Sequence, residues 1–338
     1  MEYLIRLTQI HETFRLAELR ALAVLEDIDL EILSYSPSAS PSPKFHPKNI
    51  LLTIPFQSPF CFIKLPSEDA AKRLIRRSIL SKSIYEVWGT GSSYDDLRDN
   101  VRQHSAHLWP LYKHQTFNFR MDCFQGSRST TEQTKLIETF KFMAFEGKIR
   151  MKNPEQSFCL LEEWQFDAAA LGMRDPQSVV LGRWLGDSDR GAIQKYDLKK
   201  RKYICTTSMD AELALVTANI SLAAPGKIFY DPFVGSGSFP VSCAHFGALA
   251  FGSDIDGRSI RGKGKAGLKT NFEQYGLMAQ FGDSFVADLT NTPLRVARLF
   301  DGIVCDPPYG VREGLKVLGS RDGKGKEIVV KDGIAHHT

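Results

Sequence analysis

At residues 304–310 the sequence reads VCDPPYG, an apolar run that passes directly into an aspartate, two prolines, an aromatic and a glycine. An exocyclic amino group on a nucleobase is a poor nucleophile, because its lone pair is delocalised into the ring. If Asp306 and the carbonyl of Pro307 both accept its N–H groups, the nitrogen is drawn toward tetrahedral geometry and its lone pair turns outward. The prolines stiffen the turn and withhold their own N–H groups. Tyr309 is placed to stack on a base removed from its helix. This combination suits transfer of a small group to an amine.

The donor of that group should sit upstream, where KIFYDPFVGSGSFPVSCAHFGA reads as a strand, a tight loop and a helix. Gly235 and Gly237 let the backbone turn sharply and approach a ligand closely, with Phe233 and Ser236 in the same loop. Asp231 ends the strand beside it. The next strand, ALAFGSDID, ends in Asp254 and Asp256, about twenty residues on, where a carboxylate can accept from both ribose hydroxyls. In AQFGDSF, Asp283 is expected to follow a third strand and accept from an adenine amino group. The dinucleotide fingerprint G-x-G-x-x-G lacks its third glycine here, and an acid before the loop repels pyrophosphate. A nucleoside with a cationic group fits better, and S-adenosylmethionine carries an ammonium and a sulfonium without phosphate. Direct methyl transfer needs no covalent enzyme intermediate, so Cys305 is expected in the core, as are His245, Trp88, Trp164 and Trp184.

These residues need a scaffold. From TTSMDAELALVTAN onward, helix and strand alternate as in a doubly wound parallel sheet, whose chemistry belongs at the carboxyl ends of the strands. Upstream, residues 3–10, ILLTIPF, CFIKLPS and SIYEVWG suit strands, and 14–26 and EDAAKRLIRRSIL suit helices. TFNFRMDCFQ, QSFCLLEEW and SVVLGRWLG add strands, and TTEQTKLIETFKFM adds a helix. The Ser/Pro-rich stretch 34–49 reads as a loop, and the polar stretch GTGSSYDDLRDNV as a boundary. The chain is 338 residues long with a net charge of +4, room for two or three modules and mildly suited to an anionic partner. The run at Lys199, Lys200, Arg201 and Lys202 concentrates positive charge and is a candidate phosphate contact. Six scattered cysteines without a CxxC indicate neither a disulfide framework nor a metal site. No secretion signal or membrane span is legible, which makes an intracellular, cytoplasmic protein the expectation.

With DPFVGSGS, GSDID and DPPYG in view, the chain resembles the class I S-adenosylmethionine-dependent methyltransferases, and among them the eukaryotic tRNA guanosine-10 N2-methyltransferase catalytic subunits. The likeness continues through PFQSPFCFIKLPSEDAAKRLIRRSILSKS, FEGKIRMKNPEQSFCLLE and LGRWLGDSDRGAIQKYDLKKRKYICTTSMDAELALVTAN. It implies an α/β chain: an N-terminal ferredoxin-like α+β region (1–90), a THUMP-like RNA-binding domain (91–190), and a Rossmann-like methyltransferase domain (191–338). It further implies that Asp231, Gly235 and Gly237 hold the cofactor, Asp254 its ribose and Asp283 its adenine, with Asp306 and Tyr309 at the guanine. Implied partners are tRNA and a small zinc-containing activator subunit in a heterodimer, with no membrane. A complete domain of this class has seven strands. After the fourth, this sequence offers only a polar, glycine-rich stretch, so strands five to seven are expected to be missing and the polypeptide as written to be weakly active or inactive. N6-adenine or N4-cytosine methylation, or tRNA binding without catalysis, stay open as alternatives.

Overall fold

The computed structural model describes residues 1–35, 37–44, 52–206, 208–289, 292–308, 328–331 and 334–337. They group into two compact units, Met1–Arg15 with Glu26–Asp189, and Leu16–Leu25 with Arg190–Thr338.

In the first unit, β1 (Glu2–Leu7) is followed in the chain by α1 (Arg15–Glu26), whose residues 16–25 group with the second unit, and then by β2 (Glu31–Ser34), β3 (Pro37–Lys44), β4 (Leu52–Gln57) and β5 (Phe60–Lys64). Then come α2 (Glu68–Ile75), β6 (Ser81–Gly91), α3 (Tyr94–His104), α4 (Trp109–Tyr112), β7 (Phe117–Phe124), α5 (Thr130–Glu138), β8 (Gln156–Glu163) and β9 (Ser178–Asp187). Seven of the strands form one sheet in the order β2-β5-β1-β6-β9-β8-β7, so the segments on either side of residue 90 share it. Its pairs are antiparallel except β7 with β8. Along β8, Phe158 and Leu160 join a core with Trp88, Leu97 and Val101, while Cys159 and Leu161 join another with Leu4, Phe60 and Val180. Successive strand residues point to opposite faces, so β8 feeds a core on each side of the sheet. Buried Glu162 is fully engaged: it accepts from Tyr94 Oη at 2.7 Å, Trp164 Nε1 at 2.8 Å and Arg128 Nε at 3.1 Å. Such pairing is what makes a buried carboxylate tolerable.

Three expectations for this unit need correction. The Ser/Pro-rich stretch is extended over β3 and pairs antiparallel with β4 in a two-stranded ribbon. Proline is compatible with an edge strand, where no neighbour requires its missing N–H. The polar stretch at 89–101, read as a boundary, carries regular structure within one unit: β6 runs to Gly91 and α3 starts at Tyr94, its N-cap Ser93 accepting from Asp96 N at 3.1 Å. Trp184, unlike buried Trp88 and Trp164, is 37% exposed and donates Nε1 to Asp187 at 2.9 Å.

In the second unit, α6 (Gly191–Lys195) and α7 (Ala211–Ile220) precede β10 (Ile228–Asp231), α8 (Ser238–His245), β11 (Leu249–Asp254), α9 (Gly257–Arg261), α10 (Leu268–Tyr275), β12 (Phe281–Val286) and β13 (Gly302–Ile303). The sheet order is β12-β11-β10-β13, all parallel. The third strand in sequence is thus outermost on one side and the fourth on the other, with the first pair central, as in a doubly wound sheet. Asp231, Asp254 and residue 304 onward therefore emerge at the same edge. Buried Glu18 of α1 accepts from Asn219 Nδ2 of α7 at 2.8 Å, which ties that helix to this unit. Near the C-terminus, β14 (Ile328–Lys331) and β15 (Ile334–His337) pair antiparallel with each other. Tyr309 lies outside the described residues.

Candidate cofactor and acceptor site

The loop between β10 and α8 is shaped by its glycines. Gly235 has φ +47° and Gly237 φ +85°, both left-handed conformations that disfavour side chains. A Cβ on Gly237 would lie 2.2 Å from Leu268 Cδ1. Gly237 is the N-cap of α8, so the turn and the helix start are one structure. Gly235 N donates to Asp254 Oδ2 at 3.1 Å, while Asp254 Oδ1 accepts from Asp256 N at 2.8 Å. The carboxylate at the end of β11 thereby fixes the neighbouring loop. Asp256 caps α9, accepting from Arg258 N at 2.9 Å, and forms a two-pronged pair with the Arg258 guanidinium. It is a structural cap in this arrangement.

A small cleft, open to solvent, lies over this loop and is lined by Asp231, Phe233, Gly235, Ser236, Asp306 and Cys205 among others. Among the described residues no lysine or arginine lines it. Asp231 is 2% exposed, and its Oδ1 accepts from Phe233 N at 2.9 Å. Burial pushes its carboxyl up to about 7, with the charges of Asp254 and Asp306 adding to the effect and the Phe233 bond opposing it. A cleft with one buried and one half-buried acid and, among the described residues, no cation favours a positively charged ligand over a polyphosphate. Asp306 reaches it because β13 pairs with β10: Tyr230 stands opposite Ile303, and Val304 N donates to Tyr230 O at 3.0 Å. Pro307 follows, exposed and outside the cleft lining. Cys305 is half-buried, its thiol pushed up by burial and by the charges of Asp231 and Asp306. His245 is also half-buried, its Nδ1 3.0 Å from Tyr196 Oη, and has no place in the cleft.

Two expected residues are elsewhere. Asp283 is exposed and sits inside β12, opposite Phe251, and not at the strand's carboxyl end. β12 continues to Val286, and the acid just past its end is Asp288, 4% exposed. Arg201 is 7% exposed; it donates Nη1 to Ser238 Oγ at 2.9 Å and faces Tyr196 O, so it cannot meet a phosphate at the surface. Lys199, Lys200 and Lys202 are exposed.

Spacing alone also misses the segment 203–209. Ser208 Oγ is 2.6 Å from Ser236 Oγ, and Ser238 Oγ donates to Met209 O at 3.0 Å. Asn271 of α10, fully buried, donates Nδ2 to Tyr203 O at 2.8 Å and to Ser236 O at 2.9 Å and accepts from Tyr203 N at 3.0 Å. One side chain thus fastens segment 203–209 to the glycine loop, and Cys205, Ser208 and Met209 become a wall of the cleft.

A parallel sheet in this order, with a glycine turn after its first strand and a carboxylate after its fourth, defines a Rossmann-like methyltransferase domain. Residues 199–318 match the RMKL-like methyltransferase domain model, and residues 1–42 and 51–190 match the Tmrp11 THUMP N-terminal domain model. The tRNA (guanine(10)-N(2))-methyltransferase of Saccharomyces cerevisiae is 42% identical, over 98% of this chain and 74% of that protein. The enzyme of that name from Schizosaccharomyces pombe is 40% identical over 94% and 70%, and human TRMT11 33% identical over 94% and 68%. The chain belongs to the tRNA (guanine(10)-N(2))-methyltransferase family. Among solved structures, TrmN from Thermus thermophilus aligns with a TM-score of 0.45 at 16% identity, over 92% of this chain and 80% of that one.

Proposed function

We propose that the chain transfers a methyl group from S-adenosylmethionine to the exocyclic N2 amine of guanosine 10 in tRNA. The observation that carries this is the arrival of Asp306 in the same cleft as Asp231 and the Gly235 turn. The donor set fits the cofactor: one buried and one half-buried acid for cationic groups, a backbone turn that admits close approach, and a carboxylate at the end of the second strand. Asp231 would hold the cationic end, Phe233, Gly235 and Ser236 its body, and Asp254 its ribose. When bound, S-adenosylmethionine supplies an electrophilic methyl on a sulfonium. Asp306 accepts an N–H of the guanine amine, localises its lone pair, and is the group to which the amine's surplus proton passes. The carbonyl of Pro307 would accept the second N–H. The half-buried position of Asp306 limits competing water.

We further propose a small zinc-containing activator subunit as a heterodimeric partner, on the resemblance of the sequence alone, and the cytoplasm as location. The test is transfer of labelled methyl from S-adenosylmethionine to unmodified tRNA by this chain with the activator, followed by nucleoside analysis. N2-methylguanosine at position 10 is the expected product. Label in N6-methyladenosine or N4-methylcytidine, or none where the cofactor binds, would overturn the assignment.

A further inference from the structure

The run at 199–202 loses Arg201 to an interior hydrogen bond, yet another cationic segment in the first unit keeps all its charges outward. Lys148, Arg150 and Lys152 are exposed, and among the described residues none of them forms an ion pair. The segment is held as a ledge on β7, which ends the seven-stranded sheet. Phe117 N donates to Lys148 O at 3.1 Å, Arg150 N donates to Phe117 O at 2.9 Å, and Ile149 bridges Phe117 in parallel register. Asn118 Nδ2 adds a longer bond to Met151 O at 3.4 Å. In extended backbone, residues flanking Ile149 leave on one side of the chain, so Lys148 and Arg150 share a direction. Ile149 is 71% exposed and Met151 69%, so among the described residues the ledge is uncovered.

Local carboxylates form no ion pair with it. Glu146 is taken by Lys113 Nζ at 2.6 Å and by His114, and Glu155, though within reach of the Arg150 charge, accepts from Thr116 N at 2.7 Å and Thr116 Oγ1 at 2.9 Å. Arg120 of β7 is also exposed. Surface cations usually sit on free side chains with mobile bases. Here the backbone under Lys148 and Arg150 is pinned by Phe117, which lowers the ordering cost when a row of anions binds.

We propose that Lys148, Arg150 and Lys152 form a phosphate-binding ledge for the backbone of the RNA substrate, a reading that rests on tRNA being that substrate. Each cation displaces a condensed counterion, so the ledge contributes affinity independent of base sequence and dependent on salt.

The test is tRNA binding by the wild-type chain with its activator and by the triple variant Lys148→Gln, Arg150→Gln, Lys152→Gln, titrated from about 50 to 200 mM salt. All three sites are exposed, and a circular-dichroism melt checks folding. The expected result is weaker binding and a log–log salt slope shallower by about 2 to 3, at roughly 0.7 to 0.9 per lost contact, with S-adenosylmethionine affinity unchanged. A wild-type complex that binds tRNA while the variant keeps the same slope overturns the ledge alone and leaves the segment to protein contacts. A wild-type complex that binds S-adenosylmethionine but no tRNA overturns both the ledge and the substrate assignment.

Discussion

Asp231 ends β10 and Asp306 lies three residues past its parallel neighbour β13, near enough that the charge of Asp306 helps hold the Asp231 carboxyl at about 7 against its ordinary 3.8. Burial is the larger cause. In the native state Asp231 therefore binds its proton more tightly than in the unfolded chain. Its contribution to stability is full below about pH 4 and is lost as pH rises toward 7. A cationic ligand reverses this preference, because it favours the ionised carboxylate. S-adenosylmethionine affinity should rise with pH below 7, by up to about tenfold per unit, and level off above. Asp231→Asn should flatten that profile and weaken binding. Calorimetric titration between pH 5 and 8 measures both; a pH-independent wild-type affinity would place the cationic group elsewhere.

Gly237 combines a positive φ with a Cβ position already occupied by Leu268. Gly237→Ala should cost about 1 to 3 kcal/mol in stability from backbone strain, with further loss as Leu268 is displaced. Because the same residue starts α8, cofactor affinity should fall by at least about tenfold, a loss of roughly 1.4 kcal/mol. Urea unfolding and cofactor titration on one preparation separate the two effects. An unchanged midpoint would mean that the turn relaxes freely.

The legible parts of this chain were those where apolar runs end abruptly in a functional residue. IFYD passes from a largely buried strand to its carboxylate, and in GIVCD buried Val304 leads to Asp306 just past β13, so the meeting of Asp231 with Asp306 follows from pattern and parallel topology. β12 lacks that contrast. Its residues FGDSFV are only partly buried, so the pattern does not mark where the strand ends: Asp283 lies within it and Asp288 just past it. Arg201 carries the same letter whether it faces solvent or Ser238, because charge runs do not encode burial. The wall from Cys205 to Met209 depends on Asn271, sixty-odd residues away, and no local spacing announces such a tie.

That tie gives its own prediction. Asn271→Ala leaves the carbonyls of Tyr203 and Ser236 and the N–H of Tyr203 without their partner in a buried place. Stability should drop by about 2 to 3 kcal/mol, given roughly 1 to 3 for leaving a buried polar group unsatisfied. Asn271→Asp should do no better, since it turns a donor into a second acceptor facing two carbonyl oxygens. Chemical unfolding of both variants decides this. Equal stability to wild type would show that segment 203–209 holds its place without α10.

Asp306 is where binding and chemistry should part. Asp306→Asn keeps the shape and an acceptor oxygen but loses the charge and the ability to take a proton. Methyl transfer to tRNA should fall by about 10² to 10⁴, the range for a proton-transferring group, with tRNA affinity unchanged. Cofactor binding should persist, and its pH profile should move: without the charge of Asp306, Asp231 ionises at lower pH, so the rise in affinity finishes earlier. The two readouts distinguish a catalytic role from a structural one, since general misfolding would depress affinity at every pH and would not displace the midpoint. Single-turnover transfer assays with saturating tRNA, run beside the calorimetric pH series, test both. Full activity in Asp306→Asn would remove this carboxylate from the reaction, whatever the pH series shows.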